Sequence, residues 1–182
     1  MSNVSFYANS TCTFKWESKI GAGSWNEVVG AMSISYQPAY INQSTKYRRI
    51  VTTDVLGCVS SPSNEVTKNV YPALTSGSIG SNQDVCYNIT PGVISETTAP
   101  TGGSSYPNYG YQWYSSTDNI NWNPISGATS KTYQPSFTLG YTYFRRKTID
   151  ASCGELYTNS VQIHGYNDLA AGTIGSDQLL CY

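Results

Sequence analysis

A chain of 182 residues with a formal net charge of −1, a single histidine and only 12% charged side chains presents no basic field for nucleic acid or an anionic membrane surface. Its 16 Tyr, 16 Gly and 8 Pro, set among many Ser, Thr and Asn, suit short strands joined by turns and leave no room for a long helix. No apolar run reaches bilayer length, and Met1 is not followed by a basic and then apolar leader, so any export signal is expected elsewhere in a longer parent chain.

Taken in chain order, the first strong signal is Phe14-Lys15-Trp16, followed by Trp25, Tyr36-Gln37-Pro38 and Arg48-Arg49. The series returns as Tyr111-Gln112-Trp113, Trp122, Tyr133-Gln134-Pro135 and Arg145-Arg146, at one offset, since 113 − 16 and 146 − 49 are both 97. Beyond the arginines the offset becomes 95: Cys58 maps to Cys153, Asn64-Glu65-Val66 to Asn159-Ser160-Val161, and Gly77-Ser78-Ile79-Gly80 to Gly172-Thr173-Ile174-Gly175. Two residues have therefore been lost in a loop, where length changes are tolerated. Cys86-Tyr87 returns as Cys181-Tyr182, so a third copy is expected to begin there. The expected organisation is tandem. Residues 1–71 form a repeat without its first strand, which is absent or replaced by Val4 to Ala8; residues 72–166 form a complete repeat; and residues 167–182 open a third.

Within the complete repeat, turn residues at 91–92, 100–103, 118–119, 126–127, 140 and 152–154 separate strand-like runs near 83–89, 93–97, 109–115, 120–125, 131–134, 141–149 and 157–164. Seven short strands in about 95 residues describe an all-β, immunoglobulin-like sandwich. Alternation puts Tyr111 and Trp113 on the inner face, with Phe144 and Arg146 on the inner face of the sixth strand, and the first copy repeats this with Trp16, Tyr47 and Arg49. An arginine on a core face is unusual. Each is expected to stack on the neighbouring Trp, with its stem packed and its head near the rim of the sandwich. The motif Gly77-Ser-Ile-Gly80 lacks a strand-then-helix context and reads as an inter-repeat turn rather than a phosphate loop.

The cysteines at 12, 58, 86, 153 and 181 show none of the close spacing of zinc or redox motifs. If the start of the first strand and the loop between the last two strands meet at one end of the sandwich, Cys86 joins Cys153 and Cys12 joins Cys58, leaving Cys181 over. Such bonds would imply an oxidising compartment.

No catalytic residue, cofactor or metal site is expected. His164 has no nucleophile motif beside it, and Asp84, Glu96, Asp118, Asp150 and Glu155 are spread over different turns. The best candidate for ligand contact is the aromatic loop Ser104–Gly110, through Tyr106 and Tyr109, because binding residues favour loops on rigid scaffolds.

The series Tyr111–Trp122, Ile125–Thr129, Tyr133-Gln-Pro135, Tyr143-Phe-Arg-Arg146, Cys153-Gly154, Asn159-Ser-Val161 and Gly172–Gly175 resembles immunoglobulin-like tandem repeats of giant surface adhesins of gliding bacteria. Those adhesins are exported by the type nine secretion system. The resemblance covers nearly all of residues 13–182 and implies a rigid extracellular stalk, attached to the outer membrane through other parts of the parent protein, that serves attachment or gliding. The partners it implies are neighbouring repeats of the same chain, with surface glycans or other surface proteins as distal ligands, and neither nucleic acid nor direct membrane insertion. The rival reading is a carbohydrate-binding module of a secreted hydrolase. The first copy departs from the series, with Lys19-Ile-Gly-Ala-Gly-Ser24 in place of the Ser-Thr-Asp-Asn turn, so a shared loop-based ligand site is not expected.

Overall fold

The computed structural model describes residues 12–53, 58–177 and 179, and all regular structure within them is β. The chain divides into two compact units, Met1–Tyr71 and Pro72–Tyr182.

In the first unit, β1 (Cys12–Ile20), β2 (Asn26–Glu27), β3 (Thr45–Thr53) and β4 (Val66–Lys68) form one antiparallel sheet in the order β2-β1-β3-β4. β1 and β3 pair along their whole length, from Cys12 opposite Thr53 to Ile20 opposite Thr45, which sets Trp16 against Arg49. Apolar side chains alternate along β1 at Cys12, Phe14 and Trp16, and on β3 Tyr47 is buried on the inner face.

The second unit has two layers. β6 (Gln83–Val85), β8 (Gly110–Ser116), β9 (Asn123–Pro124), β10 (Gly140–Asp150) and β12 (Val161–Gly165) line up as β6-β12-β10-β8-β9, with β11 (Gly154–Tyr157) also on β10. Over this sheet lies the pair β5 (Ser78–Ile79) and β7 (Glu96–Thr98). Ile79 and Ile94 from the small layer close on Trp113, Phe144, Val161 and Ile163 from the large one, giving one apolar core. This is an immunoglobulin-like β-sandwich, built as the alternation on β8 and β10 requires: Trp113 is opposite Arg146, and both are fully buried.

Several strands differ from expectation. The run 157–164 breaks at Thr158–Ser160 into β11 and β12, while 120–125 shortens to β9 and 131–134 to the single bridge between Ile94 and Tyr133. Gly77-Ser-Ile-Gly80 is no linker turn, since it contains β5, and Ile79 belongs to the core. A two-residue strand suffices because the Asn159 side chain accepts from the Ile79 N–H at 2.9 Å and donates to its carbonyl at 3.1 Å. That clamp replaces the ladder partners a longer strand would have.

The expected disulfides are not formed: Cys12, Cys58, Cys86 and Cys153 are all free thiols. β6 runs parallel to β12, so Val85 is level with Gly165, which pairs with Gly140 at the start of β10. Cys86 follows Val85, whereas Cys153 lies in the turn beyond Asp150 at the other end of that 11-residue strand. The two are separated by roughly 30 Å of sheet, against a Cα separation below about 7 Å for a bond. Cys12 and Cys58 flank β3 on opposite sides: Cys12 pairs with Thr53, and the Thr53 N–H donates to the Cys58 carbonyl. Two strand spacings, about 10 Å, are again too far. Cys181 lies outside the described residues.

Candidate functional site

The most unusual chemistry in the second unit is its core arginine. β10 carries Arg146 inward between Phe144 and Thr148, and no part of its side chain reaches solvent. One guanidinium arm donates to the Lys131 carbonyl at 2.7 Å, and the other reaches Glu96 Oε2 at 2.8 Å. Glu96 on β7 is also 3.3 Å from Lys131 Nζ, so the acid joins both layers. The ring beneath the guanidinium is Tyr111, at 4.4 Å from its centroid, rather than the expected Trp113, and the head group is sealed inside rather than placed at the rim. Trp113 instead stacks on Tyr133 at 5.5 Å and donates its indole N–H to the Ser130 carbonyl at 2.8 Å. A buried charge needs such a partner, because an unpaired one costs several kcal/mol.

Arg49, its counterpart, lies over Phe14 at 5.2 Å and, farther off, Trp16 at 5.9 Å. One arm donates to the Ile34 carbonyl, which matches Lys131. Trp16 keeps the same indole bond, to the Ser33 carbonyl at 2.9 Å. Trp16 and Arg49 are only partly buried, unlike Trp113 and Arg146.

On the outer face, Arg145 is held between Trp122 at 4.3 Å and Tyr157 at 4.0 Å, with Tyr114 at 5.8 Å. In the first unit Arg48 covers Trp25 at 4.2 Å and pairs with Glu17 at 2.8 Å. Both are cation–π contacts that lace an inner strand of the sheet to the β-hairpin beside it.

The loop expected to contact ligand is anchored. Asp150 accepts from Ser104 Oγ at 2.8 Å, from the Ser105 N–H at 2.6 Å, and from the N–H groups of Ser152 and Cys153 at 3.0 and 2.7 Å. Tyr109 donates its hydroxyl to the Gly102 carbonyl at 2.6 Å and packs edge-on to Tyr106, so Tyr109 is a strut. Of the two tyrosines, Tyr106, 64% exposed, is the one presented outward. Gly103 at φ 70° runs so close to Asp150 that a Cβ there would lie 2.4 Å from the carboxylate. Sequence reading treated Asp150 as one scattered acid; its place just before the turn Ala151–Cys153 was the signal of a hairpin clasp.

This clasp sets a pH dependence. Burial pushes the Asp150 carboxyl up, but the hydrogen bonds from Cys153, Ser105, Ser152 and Ser104 outweigh it and hold the group well below the usual carboxylate range. A depressed folded pKa stabilises the fold above the unfolded value, near 4, and that stabilisation is lost as pH falls through and below it. The second unit is expected to hold its melting temperature from neutral pH to about 4 and to lose it below. Asp118, lowered by its bonds from the Asn121 and Ile120 N–H groups, acts in the same window. The informative quantity is therefore the difference between wild type and Asp150→Asn in melts at stepped pH: the variant should be less stable at neutral pH and decline less in acid. Parallel curves would exclude the clasp.

His164 lies on the outer face, stacked on Tyr141 at 4.1 Å and next to Tyr166 at 4.2 Å, with Nδ1 3.5 Å from Asp84. No hydroxyl or thiol among the described residues bonds to it, and no cluster of three metal-ligating side chains occurs among them. No helix in the described residues is long and apolar enough to cross a membrane. Among the described residues, a shallow groove of about 470 Å³ is lined by Cys86, Tyr87, Tyr166, Asn167, Asp168 and Leu169, and another of about 350 Å³ lies over Phe14, Val28 and Met32.

The chain belongs to a family described as a domain of unknown function (DUF8696), whose profile matches twice, over residues 2–72 and 75–165. No curated protein matches. Among solved structures, the crystal structure of chicken CNTN1 FN1-FN3 domains is similar at 13% identity and a TM-score of 0.33, covering 86% of this chain and 58% of that one. The chain thus spans less than two thirds of that structure, and a likeness of this strength adds nothing to the strand pairing described above.

Proposed function

We propose that the chain is a pair of non-enzymatic structural repeats from an extracellular adhesin of the bacterial surface, spacing a distal binding element away from the cell in attachment or gliding. One observation supports this best. The residues that recur between the copies are architectural: Trp16 and Trp113 with their indole bonds, Arg49 and Arg146 on matching carbonyls, and Arg48 and Arg145 over Trp25 and Trp122. What a ligand would meet differs, since the Asp118 turn is replaced by Gly21-Ala22-Gly23, and Tyr109 has its counterpart in Cys12. A module copied for its frame and free to vary at its loops is a spacer. The free thiols withdraw the redox argument for the compartment. The extracellular placement rests on composition and on the resemblance to surface adhesins.

Tandem copies of residues 72–166 should therefore scatter as a rod, with the maximum dimension growing by roughly 35 Å per copy, the span of a strand as long as β10. A dimension that grows only as the cube root of mass would end the spacer reading. The rival, a carbohydrate-binding module, draws on exposed Tyr106 and the Trp122 platform. A glycan array showing one defined sugar bound by the chain, and lost in Tyr106→Ala or Trp122→Ala, would favour it instead.

A further inference from the structure

The outer sheet faces of the two units carry different chemistry. On the first, Lys15, Glu17, Lys19, Glu27, Lys46 and Glu65 form a network of ion pairs at 2.8 to 3.6 Å, and Arg48 joins it through Glu17 at 2.8 Å. By the repeat alignment their counterparts on the second are Gln112, Tyr114, Ser116, Pro124, Tyr143 and Ser160, none of them charged. The arginine is retained, as Arg145. A new pair, Lys147 with Glu155, lies two residues further along β10.

Arg145 has therefore kept its place and lost its partner. In register it faces Tyr114 as Arg48 faces Glu17. Its Nε is buried with no acceptor, and among the described residues no carboxylate pairs with the guanidinium, Glu155 being taken by Lys147. Yet the group is held firmly, with Trp122 at 4.3 Å, Tyr157 at 4.0 Å and Tyr114 at 5.8 Å. Tyr157 stands where the first copy has Pro62, so two of these three rings are additions of the second unit. A frame that needed only the contact of arginine with indole already had it in Arg48 over Trp25. Two added rings and a missing acid leave a preorganised cation without its anion, and a buried polar atom without a partner calls for a reason.

A guanidinium fixed by rings on its faces offers its edge, a planar fork that matches a carboxylate bidentately. The first unit shows which group suits this place, since the Glu17 carboxylate fills it there. Around the fork the surface is aromatic: Tyr143 lies two residues along the same face, and Tyr157, 43% exposed, meets Tyr114 edge-on at 5.5 Å. β10 is flanked by β12 and β8, so its main chain is already paired and an extended peptide would gain no ladder bonds there. A sugar offers what the face can use, C–H groups to lie on tyrosine rings and hydroxyls to bond their phenolic oxygens.

We propose that the outer face around Arg145 binds a uronate-bearing glycan, with a sugar carboxylate on the terminal nitrogens of Arg145 and adjoining sugar rings on Tyr157 and Tyr143. The site goes beyond the spacer reading, since a repeat can set length and also adhere along its side. Tandem copies would scatter as a rod whether or not this face binds, so the two readings fail separately.

The test is calorimetric titration of the whole chain with short oligosaccharides of galacturonic, mannuronic and glucuronic acid, with their methyl esters, and with oligoglutamate. Saturable binding of at least one uronate is expected, weakened at least tenfold by esterification, which removes the charge and keeps the sugar rings. Arg145→Gln should weaken it at least tenfold. Tyr114→Glu should do the same, because it restores the acid of the first copy and lets the chain fill its own site, while the melting temperature of the second unit holds or rises. Binding lost at undiminished stability separates a site from a damaged frame. Should either variant not fold, the guanidinium N–H signals of the nitrogen-labelled, unaltered chain decide: those of Arg145 should shift with the uronate and those of Arg48 should not. The proposal is overturned by no uronate bound, by an ester or oligoglutamate bound as tightly, by undiminished binding in a folded variant, or by unshifted Arg145 signals.

Discussion

Replacing Arg146 by Met is expected to destabilise the second unit by about 3 kcal/mol, at the lower edge of the range for breaking a buried ion pair. The side chain is wholly enclosed, whereas Glu96 keeps 15% exposure and Lys131 Nζ at 3.3 Å, so part of the orphaned negative charge is still answered. What is lost is the bond to the Lys131 carbonyl, the tie between the two layers, and the stacking on Tyr111. The double variant Arg146→Met with Glu96→Leu should recover most of the loss, because a buried pair replaced by apolar groups of similar volume is near neutral. Urea unfolding followed by Trp fluorescence, with the slope m unchanged, gives both values. A single variant costing under about 1 kcal/mol, or a double variant costing as much as the single, would show that the pair is not what holds β7 on the sheet. Arg49→Met in the first unit, where no acid pairs with the guanidinium among the described residues, should cost much less.

That pair also shows where sequence reading succeeded and where it stopped. Period-two alternation was enough to put Trp113, Phe144 and Arg146 on one inner face and Tyr47 with them in the other copy, because side-chain direction in a strand is fixed by parity. The partner of Arg146 was missed because Glu96 is 50 residues away and reads locally as one more turn-side acid. The signal was nevertheless present: an arginine on a core face requires a buried carboxylate, and Glu96, two residues after Ile94, is with Asp84 one of two acids embedded in the strand-like runs 83–89 and 93–97. The disulfide pairing failed for a different reason. It assumed that Cys86 stands at the start of the first strand, beside the loop between the last two strands, whereas Cys86 follows β6, whose parallel pairing with β12 carries it to the opposite end from Cys153. Nothing local in Gln83–Val85 tells where so short a strand begins and ends. Ile79 was lost between two glycines, since its burial is secured by Asn159, 80 residues on, rather than by a strand of readable length. The Tyr106–Tyr109 loop was legible as aromatic and long, but Asp150, which fastens it, announced itself only by its place before a turn.

Trp113→Ala is expected to remove about 3–5 kcal/mol from the second unit, the usual loss for deleting a fully enclosed large aromatic. Trp16→Ala should remove clearly less from the first. The two indoles are otherwise alike: each donates to a carbonyl 17 residues on, at 2.9 and 2.8 Å, and each packs against the tyrosine of the Tyr-Gln-Pro motif, at 5.8 and 5.5 Å. They differ in their cover, since Ile79 and Ile94 close over Trp113 and nothing among the described residues takes their place over Trp16. The difference between the two substitutions therefore measures what the small layer contributes to the core, free of the indole hydrogen bond common to both. Calorimetry that resolves two unfolding transitions, one assigned to each unit by its Trp variant, supplies the comparison. Equal losses would mean that Trp16 is enclosed as fully as Trp113.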